Sequence, residues 1–288
     1  MKKLSIVILS YNTEKVLENC LNSLKKVSGE TDFEIFVVDN ASTDGSLQML
    51  KKRNDITLIK NNENVGFAKG NNSARKVVNT EFVLFLNSDT LVPVGTLKET
   101  VNYMSEHQDV GALTCKITLP DGSLDKDARR SFPTPWVALT HFSGLDRLFP
   151  KSTLLAKYWY GYKDEDEIHE VDVLQGAFFL TRKNILDEVG WYDEDYFLDG
   201  EDIDLSWKIK HSGYKIFYYP KVQITHLKKA SKKGKRSLKA VVAGVNSMQI
   251  FYSKHLKQLY PVYINILVYS GLSLLKTVRV IKYYIINL

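Results

Sequence analysis

The chain has 288 residues, 44% of them hydrophobic and 25% charged, a composition typical of one large globular domain or of a domain with an appendage. The net charge of +6 favours an anionic partner such as a sugar nucleotide, an anionic lipid or a nucleic acid. The only two cysteines, Cys20 and Cys115, exclude a disulfide framework and a cysteine zinc site, and they fit a reducing compartment.

Apolar runs alternate with helical patterns through the first third of the chain. The first run is too short for the core of a signal peptide, so we expect it to be the first strand of a cytosolic fold. In chain order the patterns predict strand 4–9, helix 14–26, strand 34–38, helix 44–52, strand 56–59, helix 67–78, strand 82–86 and a helix from Pro93 to about residue 106. This alternation indicates an α/β fold with a mostly parallel central sheet, helices on both faces and right-handed crossovers.

The alternation is predicted to end after Gly111, and residues 119–169 are expected to be rich in loops. Beyond them the patterns predict strands 171–174, 177–180, 214–219 and 222–225 and a helix over 203–210. We therefore expect one main domain over residues 1–227 and a helical extension over residues 228–288.

The C-terminal extension is basic at its start and apolar afterwards. Its cationic run comprises Lys228, Lys229, Lys232, Lys233, Lys235, Arg236 and Lys239. The uncharged stretch 259–275 is marginal for a transmembrane helix, which needs about 20 apolar residues. The apolar residues Leu267, Leu274, Val278, Ile281 and Ile285 share one helical face. We expect a helix lying in a membrane interface beside anionic lipid, and the alternative is a helix packed on the main domain or in a dimer.

Short polar loops follow four of the predicted strands. The carboxyl ends of parallel strands meet at one edge of a sheet, so these loops are expected to lie together there. The candidate ligand-binding residues in these loops are Ser10, Tyr11, Asn12, Asp39, Ser42, Asn64, Gly66, Asn71, Asn87 and Ser88. Taken singly, each has a structural alternative as a helix cap or a turn residue. Their joint placement at strand ends favours a site that binds a base, a ribose and phosphates.

Three further acidic or basic groups are candidates for chemistry. Asp89 follows a buried strand, where a carboxylate can hold a hard divalent cation against a diphosphate. Glu201 and Asp202 precede a helix, where one carboxylate can act as a general base, or both can simply complement the helix dipole. His226 can ligate the metal or contact the diphosphate, or it can be a structural histidine. For Arg129-Arg130, contact with phosphate and support of a loop are equally open.

Together these motifs resemble those of family 2 glycosyltransferases with the GT-A fold, and within the family the bacterial rhamnosyltransferase-like branch. The resemblance covers about residues 3–255. It rests on segments 7–12, 38–45, 61–72, 86–89, 176–179, 190–193 and 201–205. It implies a donor-binding half at about 1–118 and an acceptor-side half at about 119–227.

The resemblance also implies an inverting sugar transfer from a nucleotide diphosphate sugar to a hydroxyl. Asn12 and Asp39 would bind the nucleotide with support from residues 64–72, Asp89 would hold Mg²⁺ or Mn²⁺, and Asp202 would be the general base. The expected donor is dTDP-rhamnose, with UDP-hexoses as the alternative. The expected acceptor is a glycan or polyprenyl-linked sugar in cell-surface polysaccharide synthesis, which places the enzyme in the cytoplasm, peripheral on the inner face of the plasma membrane.

Two positions depart from the family pattern. Asn87 stands where many relatives have an aspartate, and the segment after His226 lacks a glycine. A pseudoenzyme that binds sugar nucleotides therefore stays an alternative. The first strand is not followed by the basic, glycine-rich loop that a nucleotidyltransferase needs. The sequence also has no glycine motif of the dinucleotide-binding or P-loop type. A nucleic-acid partner is not expected, because no nucleic-acid-binding motif occurs.

Overall fold

The computed structural model describes residues 2–228 and 238–287. Its first part alternates strands and helices as predicted from the sequence. The elements are β1 (Leu4–Ser10), α1 (Glu14–Lys26), β2 (Phe33–Asp39), α2 (Ser46–Lys51), β3 (Thr57–Lys60), α3 (Phe67–Asn72), β4 (Phe82–Leu86), β5 (Thr90–Leu91) and α4 (Thr96–Glu106). The prediction of a helix to residue 78 was wrong, because beyond Asn72 the N–H groups of Ser73 and Ala74 bond to carbonyls three residues earlier and the turn tightens.

The second part contains more regular structure than the sequence pattern indicates. Its elements are β6 (Val110–Thr118), β7 (Arg129–Arg130), α5 (Pro135–Phe142), α6 (Leu145–Leu148), β8 (His169–Glu170), β9 (Val173–Leu174), β10 (Phe178–Arg182), α7 (Lys183–Val189), α8 (Glu201–His211) and β11 (Lys215–His226). The prediction that the alternation ends after Gly111 was wrong, because β6 follows there. The two strands predicted around Pro220 are one strand, β11, whose register against β6 shifts between Tyr219 and Gln223. The shift accommodates Pro220, which has no N–H to donate.

Nine of the described strands form one sheet in the order β3-β2-β1-β4-β10-β6-β11-β5, with β8 beside β11, and β7 pairs with β9 in a separate two-stranded sheet. The longest registers are parallel, joining β1 to β2 and β6 to β11, while β10 runs antiparallel between β4 and β6. The expected α/β fold with a mostly parallel sheet is thus confirmed. Because β1, β2 and β4 are mutually parallel neighbours, their carboxyl ends and the loops that follow lie at the same edge.

Both faces of the sheet are buried. Along β1, Leu4, Ile6 and Ile8 pack in one core cluster with α1 and α4, whereas Val7 packs in a second cluster with Trp191 and Tyr192. Successive side chains of a strand point to opposite faces, so this division shows helices and loops covering both sides. Near-continuous apolar strands are the expected sequence signature of such a doubly covered sheet.

The C-terminal extension packs on the domain through its first helix. It consists of α9 (Leu238–Phe251), a π-helical turn over Tyr252–Leu256, a 3₁₀ turn over Lys257–Leu259, and α10 (Val262–Asn287). The Ser247 hydroxyl donates to the Leu198 carbonyl at 3.2 Å, and Phe251 packs in a cluster with Tyr196 and Trp207. Of the predicted cationic run, residues 229–236 lie outside the described residues.

His255 fastens the extension to α8. Its Nε2 lies 2.6 Å from Oδ1 of Asp204, whose side chain is 1% exposed. Burial raises the pKa of Asp204, but the hydrogen bond to His255 and the charge of Lys208 outweigh it and lower that pKa. Lys254 adds ion pairs to Asp193 at 2.5 Å and Asp195 at 2.6 Å.

The second helix of the extension, α10, is mostly exposed. All five residues of the predicted apolar stripe are more than half exposed, from 52% at Val278 to 67% at Leu274. The segment Val262–Ile285, with a mean hydropathy of 1.4, is long and apolar enough to cross a membrane by length and composition. The helix thus leaves an apolar surface uncovered by the described part of the chain.

We expect His255→Ala to lower the free energy of unfolding by about 1–3 kcal/mol, because the buried Asp204 carboxylate loses a hydrogen-bond donor. Urea unfolding of the full chain, followed by circular dichroism, measures the change. Lys257→Ala removes an exposed side chain nearby and serves as the matched control. Identical midpoints for the two variants would show that the extension is not held through Asp204.

Candidate functional site

Asn12 and Ser42 join the loops after β1 and β2. The Asn12 Oδ1 accepts hydrogen bonds from the Thr43 N–H at 2.7 Å and the Asp44 N–H at 3.3 Å, while its own N–H donates to the Ser42 hydroxyl at 3.1 Å. Asn12 adopts a φ of 55°, a left-handed conformation that asparagine tolerates better than most residues. These two predicted site residues therefore shape the edge of the sheet by bonding to its backbone.

Asn64 and Gly66 organise the loop before α3. The Asn64 Oδ1 accepts from Asn40 Nδ2 at 2.9 Å and from the Gly66 N–H at 3.0 Å. Gly66 has a φ of 90°, and a Cβ there would lie 2.5 Å from the Phe197 carbonyl oxygen, so the position requires glycine. Asn40, which the sequence analysis did not single out, ties this loop to β2.

The remaining predicted loop residues differ in exposure. Tyr11 is 46% exposed at the rim of the edge, whereas Asn71 is buried and donates from Nδ2 to the Phe67 carbonyl at 3.0 Å. The Ser10 hydroxyl is 3.0 Å from that of Thr13. Asn87 and Ser88 lie between β4 and β5, where the Asn87 N–H donates to the Ala177 carbonyl at 3.3 Å.

Asp39 has an unused hydrogen-bond acceptor at the end of β2. Its side chain is 1% exposed, and Oδ2 accepts from the Ser42 N–H at 3.2 Å. Oδ1 is buried and finds no hydrogen-bond donor among the described residues. A buried carboxylate oxygen without a donor is costly, so this atom is suited to receive an N–H from a ligand.

His226, at the end of β11, links the carboxylate of Asp89 after β4 to that of Asp125 before β7. Its Nε2 lies 3.2 Å from Oδ1 of Asp89, and its Nδ1 lies 3.0 Å from Oδ2 of Asp125. Burial lowers the pKa of His226, but the hydrogen bonds to Asp125 and Asp89 prevail and raise it to about 9. Lys228 lies 2.8 Å from Oδ1 of Asp125. Sequence analysis missed Asp125 and Lys228 as neighbours of this centre.

The donor set around Asp89 fits a hard divalent cation. Asp89 offers a carboxylate oxygen, Nε2 of His226 would bind the cation once its proton is displaced, and Asp125 lies on the other ring nitrogen, as carboxylates do behind metal-ligating histidines. Residues 2–228 and 238–287 hold no cluster of three or more potential protein ligands. A cation here would therefore take its remaining ligands from water or phosphate oxygens.

Asp202 lies in the first turn of α8 and forms an ion pair. Its Oδ2 is 2.5 Å from Nη2 of Arg130 in β7, and its Oδ1 accepts from the Ile203 N–H at 2.8 Å. The same Arg130 Nη2 is 3.4 Å from the Leu174 carbonyl at the end of β9. Of the two roles considered for Arg130, the structure shows the bracing one, with Asp202 as its partner.

Glu201 and Asp202 are neighbours in chemically different environments. Glu201 is 6% exposed, and its Oε2 lacks a hydrogen-bond partner within the described chain. Burial and the adjacent Asp202 charge raise the pKa of Glu201 well above its usual value. The two carboxyls therefore differ, because burial disfavours the charged form of Glu201 while Asp202 is held beside a guanidinium.

Residues 5–190 match the family model described as "Glycosyl transferase family 2". The chain belongs to this family. The match includes the loops after β1, β2, β3 and β4, and it confirms the family indicated by the sequence motifs. Asp202 and His226 lie beyond the matched range.

Two named relatives are similar to the chain. An "N-acetylglucosaminyl-diphospho-decaprenol L-rhamnosyltransferase" of Mycobacterium tuberculosis is 26% identical over 260 residues, covering 86% of this chain and 83% of the relative. The "Poly(ribitol-phosphate) beta-N-acetylglucosaminyltransferase TarS" of Staphylococcus aureus is 40% identical over 113 residues. That second match covers 37% of this chain and only 20% of TarS.

Solved structures confirm the GT-A glycosyltransferase fold. The structure of TarS 1–349 of S. aureus in complex with UDP-GlcNAc superposes with a TM-score of 0.58 and 23% identity, covering 87% of this chain and 66% of that one. GalNAc-T7 with UDP, GalNAc and Mn²⁺ superposes with a TM-score of 0.63 and 17% identity, covering 88% of this chain and 49% of that one.

Proposed function

We propose that the protein is an inverting glycosyltransferase that moves a sugar from a nucleotide diphosphate sugar to a hydroxyl of a glycan or lipid-linked acceptor. The observation that carries the proposal is the placement of Asp89 and His226 at the sheet edge that also presents Asp39. An acceptor for a base and ligands for a diphosphate-bound cation are the two features that donor binding requires.

Asp39 supports a pyrimidine nucleotide as donor. Thymine and uracil each carry an imide N–H, and the buried Asp39 Oδ1 has no donor of its own among the described residues. We propose dTDP-rhamnose as the lead donor, because the M. tuberculosis relative, which the match covers over 83% of its length, is named a rhamnosyltransferase. A UDP-hexose is the alternative, supported by the similarity to TarS.

Asp89 and His226 would hold Mg²⁺ or Mn²⁺, with Asp125 orienting the imidazole of His226. When bound, the cation stabilises negative charge on the departing diphosphate. Because Asn87 is uncharged, Asp89 supplies the carboxylate of this segment alone.

Asp202 is the better candidate for the general base. Its carboxylate is paired with the Arg130 guanidinium, and each carboxylate oxygen has a further lone pair for an acceptor hydroxyl. Burial and the charge of Asp202 raise the pKa of Glu201 well above its usual value. Direct displacement by a hydroxyl activated on one carboxylate inverts the anomeric centre.

The exposed helix α10 supports a peripheral position on the cytoplasmic face of the membrane. Its apolar stripe would lie in the lipid interface and bring the enzyme to a lipid-linked acceptor. The main alternative function is a catalytically weak sugar-nucleotide-binding protein, which Asn87 and the tight Arg130–Asp202 pair favour.

Calorimetric titration with dTDP, UDP and GDP, with and without Mn²⁺, tests the donor site. We expect metal-dependent binding of a pyrimidine nucleotide and at least roughly tenfold weaker binding by Asp89→Ala, since one charged ligand is lost. Asp121→Ala, which removes an exposed carboxylate, is the control. Failure of the folded wild-type protein to bind any of the three nucleotides would overturn the proposal.

Amide substitution of Asp202 and of its neighbour Glu201 is expected to affect activity differently. Asp202→Asn should lower kcat by about a hundredfold or more with little change in the donor KM, because the proton acceptor is lost. Glu201→Gln should retain most activity, because Glu201 is not the proposed proton acceptor. Release of nucleoside diphosphate from dTDP-rhamnose or UDP-N-acetylglucosamine, with a short-chain lipid diphosphate sugar as acceptor, measures both. Equal losses in the two variants would contradict the assignment.

Vesicle flotation of the full chain tests the membrane interface. We expect flotation with anionic vesicles, and roughly tenfold weaker partitioning for Leu274→Asp, which places a charge on the apolar stripe. Ser273→Asp, at the adjacent exposed position off the stripe, is the matched control. Equal impairment of both variants would indicate a spanning helix, and absence of flotation by wild type would remove the membrane proposal.

A further inference from the structure

A second recess lies outside the loops of the candidate donor site. It is a cleft of about 380 Å³. Residues just before and within β7 line one part of it, and residues that follow α5 line the rest. Its lining includes Lys126, Arg129, Asp146, Arg147, Trp159 and Lys163. We call this recess the basic cleft.

Cations outnumber available anions in the basic cleft. Lys126, Arg129, Arg147 and Lys163 line it, and the acidic residues of the lining are Asp146 and Glu165. Both acids already have partners, because Glu165 lies 3.1 Å from Lys116 and Asp146 lies 2.7 Å from His141. The cleft therefore attracts an anion.

Arg129 is a buried cation whose hydrogen-bond partners carry no charge. It is 3% exposed, and Nη1 donates to the Asp164 carbonyl at 3.0 Å and to His169 Nε2 at 2.9 Å. Burial and the charges of Arg129 and Lys163 lower the pKa of His169 to about 4, so its ring is neutral. The Arg129 Nε finds no acceptor in the described part of the chain. A buried guanidinium with a free N–H is suited to a phosphate oxygen.

Two other lining groups suit a sugar or polyol. Asp146 is 6% exposed, and its Oδ1 has no donor among the described residues, although Oδ2 contacts His141. A ligand hydroxyl can supply the missing hydrogen bond. Trp159 adds a flat aromatic face, with Lys126 Nζ 5.5 Å from its ring centroid. The cleft thus combines cations with a hydroxyl acceptor and a stacking surface.

The basic cleft adjoins the candidate catalytic residues. Arg129 precedes Arg130, the partner of Asp202, and successive side chains in a strand point to opposite sides. On the other flank, Asp127 accepts from Trp159 Nε1 at 3.3 Å and lies 3.3 Å from Lys228, which also pairs with Asp125. A molecule in the cleft is therefore separated from Asp202 by β7, and Asp127 connects the wall of the cleft to the residues around the proposed metal centre.

We propose that the basic cleft binds a phosphate group of the acceptor together with the sugar or polyol attached to it. This inference rests on the proposed function and names its acceptor class, an anionic phosphorylated glycan. The phosphate can belong to a lipid diphosphate sugar or to a polyol phosphate chain, since both join hydroxyls to phosphate oxygens.

Calorimetry on the full chain saturated with UDP and Mn²⁺, which blocks the donor site, tests the proposal. The probes are N-acetylglucosamine linked through a diphosphate to a short prenyl chain, a short ribitol phosphate oligomer, and free N-acetylglucosamine. We expect at least one phosphorylated probe to bind, and Arg147→Glu to weaken it roughly tenfold or more through loss of a charge-assisted contact. Lys151→Glu, an equal charge change on a nearby exposed lysine outside the lining, should bind normally.

The outcomes separate the two proposals. Binding of one phosphorylated probe alone identifies the source of the phosphate, and binding of both supports the shared chemistry. Equal affinity in Arg147→Glu and Lys151→Glu, or equally tight binding of free N-acetylglucosamine, overturns the basic cleft as a phosphate site. Lys126→Ala provides a second variant if Arg147→Glu does not fold. If UDP does not bind, dTDP blocks the donor site instead, and failure to bind any of dTDP, UDP and GDP overturns the proposed function itself.

Discussion

The site depends on the imidazole of His226, which lies between Asp89 and Asp125 and so joins the ends of two distant strands. The three residues come from the loop after β4, the segment before β7 and the end of β11. The Asp125 carboxylate is stabilised in turn, because its hydrogen bonds to His226 and Lys228 outweigh burial and lower its pKa to about 2. The orientation of the His226 ring, the charge of the Asp125 carboxylate and the positions of the two loops are therefore fixed together at this edge of the sheet.

The parallel sheet turns separate sequence motifs into one surface. Since β1, β2 and β4 run side by side in one direction, each following loop emerges at the same edge. The asparagines in these loops hold the loops to one another, which leaves the buried Asp39 Oδ1 as the unused acceptor among them. Rigid loops with one free polar group suit recognition of a base better than mobile loops, because little ordering entropy is lost on binding.

The second half of the chain positions Asp202, the proposed general base. The short pair β7–β9 brings Arg130 to Asp202, and the extension clamps the other side of α8 through His255 and Asp204. The first turn of α8 is thus held from two sides. Burial and the neighbouring Asp202 charge raise the pKa of Glu201, whereas Asp202 is paired with Arg130, so two adjacent carboxyls lie in different environments.

The sequence by itself determined the family, the α/β class, the elements up to α4 and the strand-end loops, because apolar periodicity and polar strand ends are local signals. The sequence pattern missed β6 and predicted two strands where β11 is continuous. The pairing of β6 with the antiparallel strand β10 and the bulge around Pro220 depend on neighbouring strands in the sheet, which the local pattern does not show. The sequence also named Asp89, Asp202 and His226 without their partners. Only the tertiary structure decided that Asp125, Arg130 and His255 complete these groups, and that residues 124–165 enclose a cationic cleft, because such contacts join segments far apart in the chain.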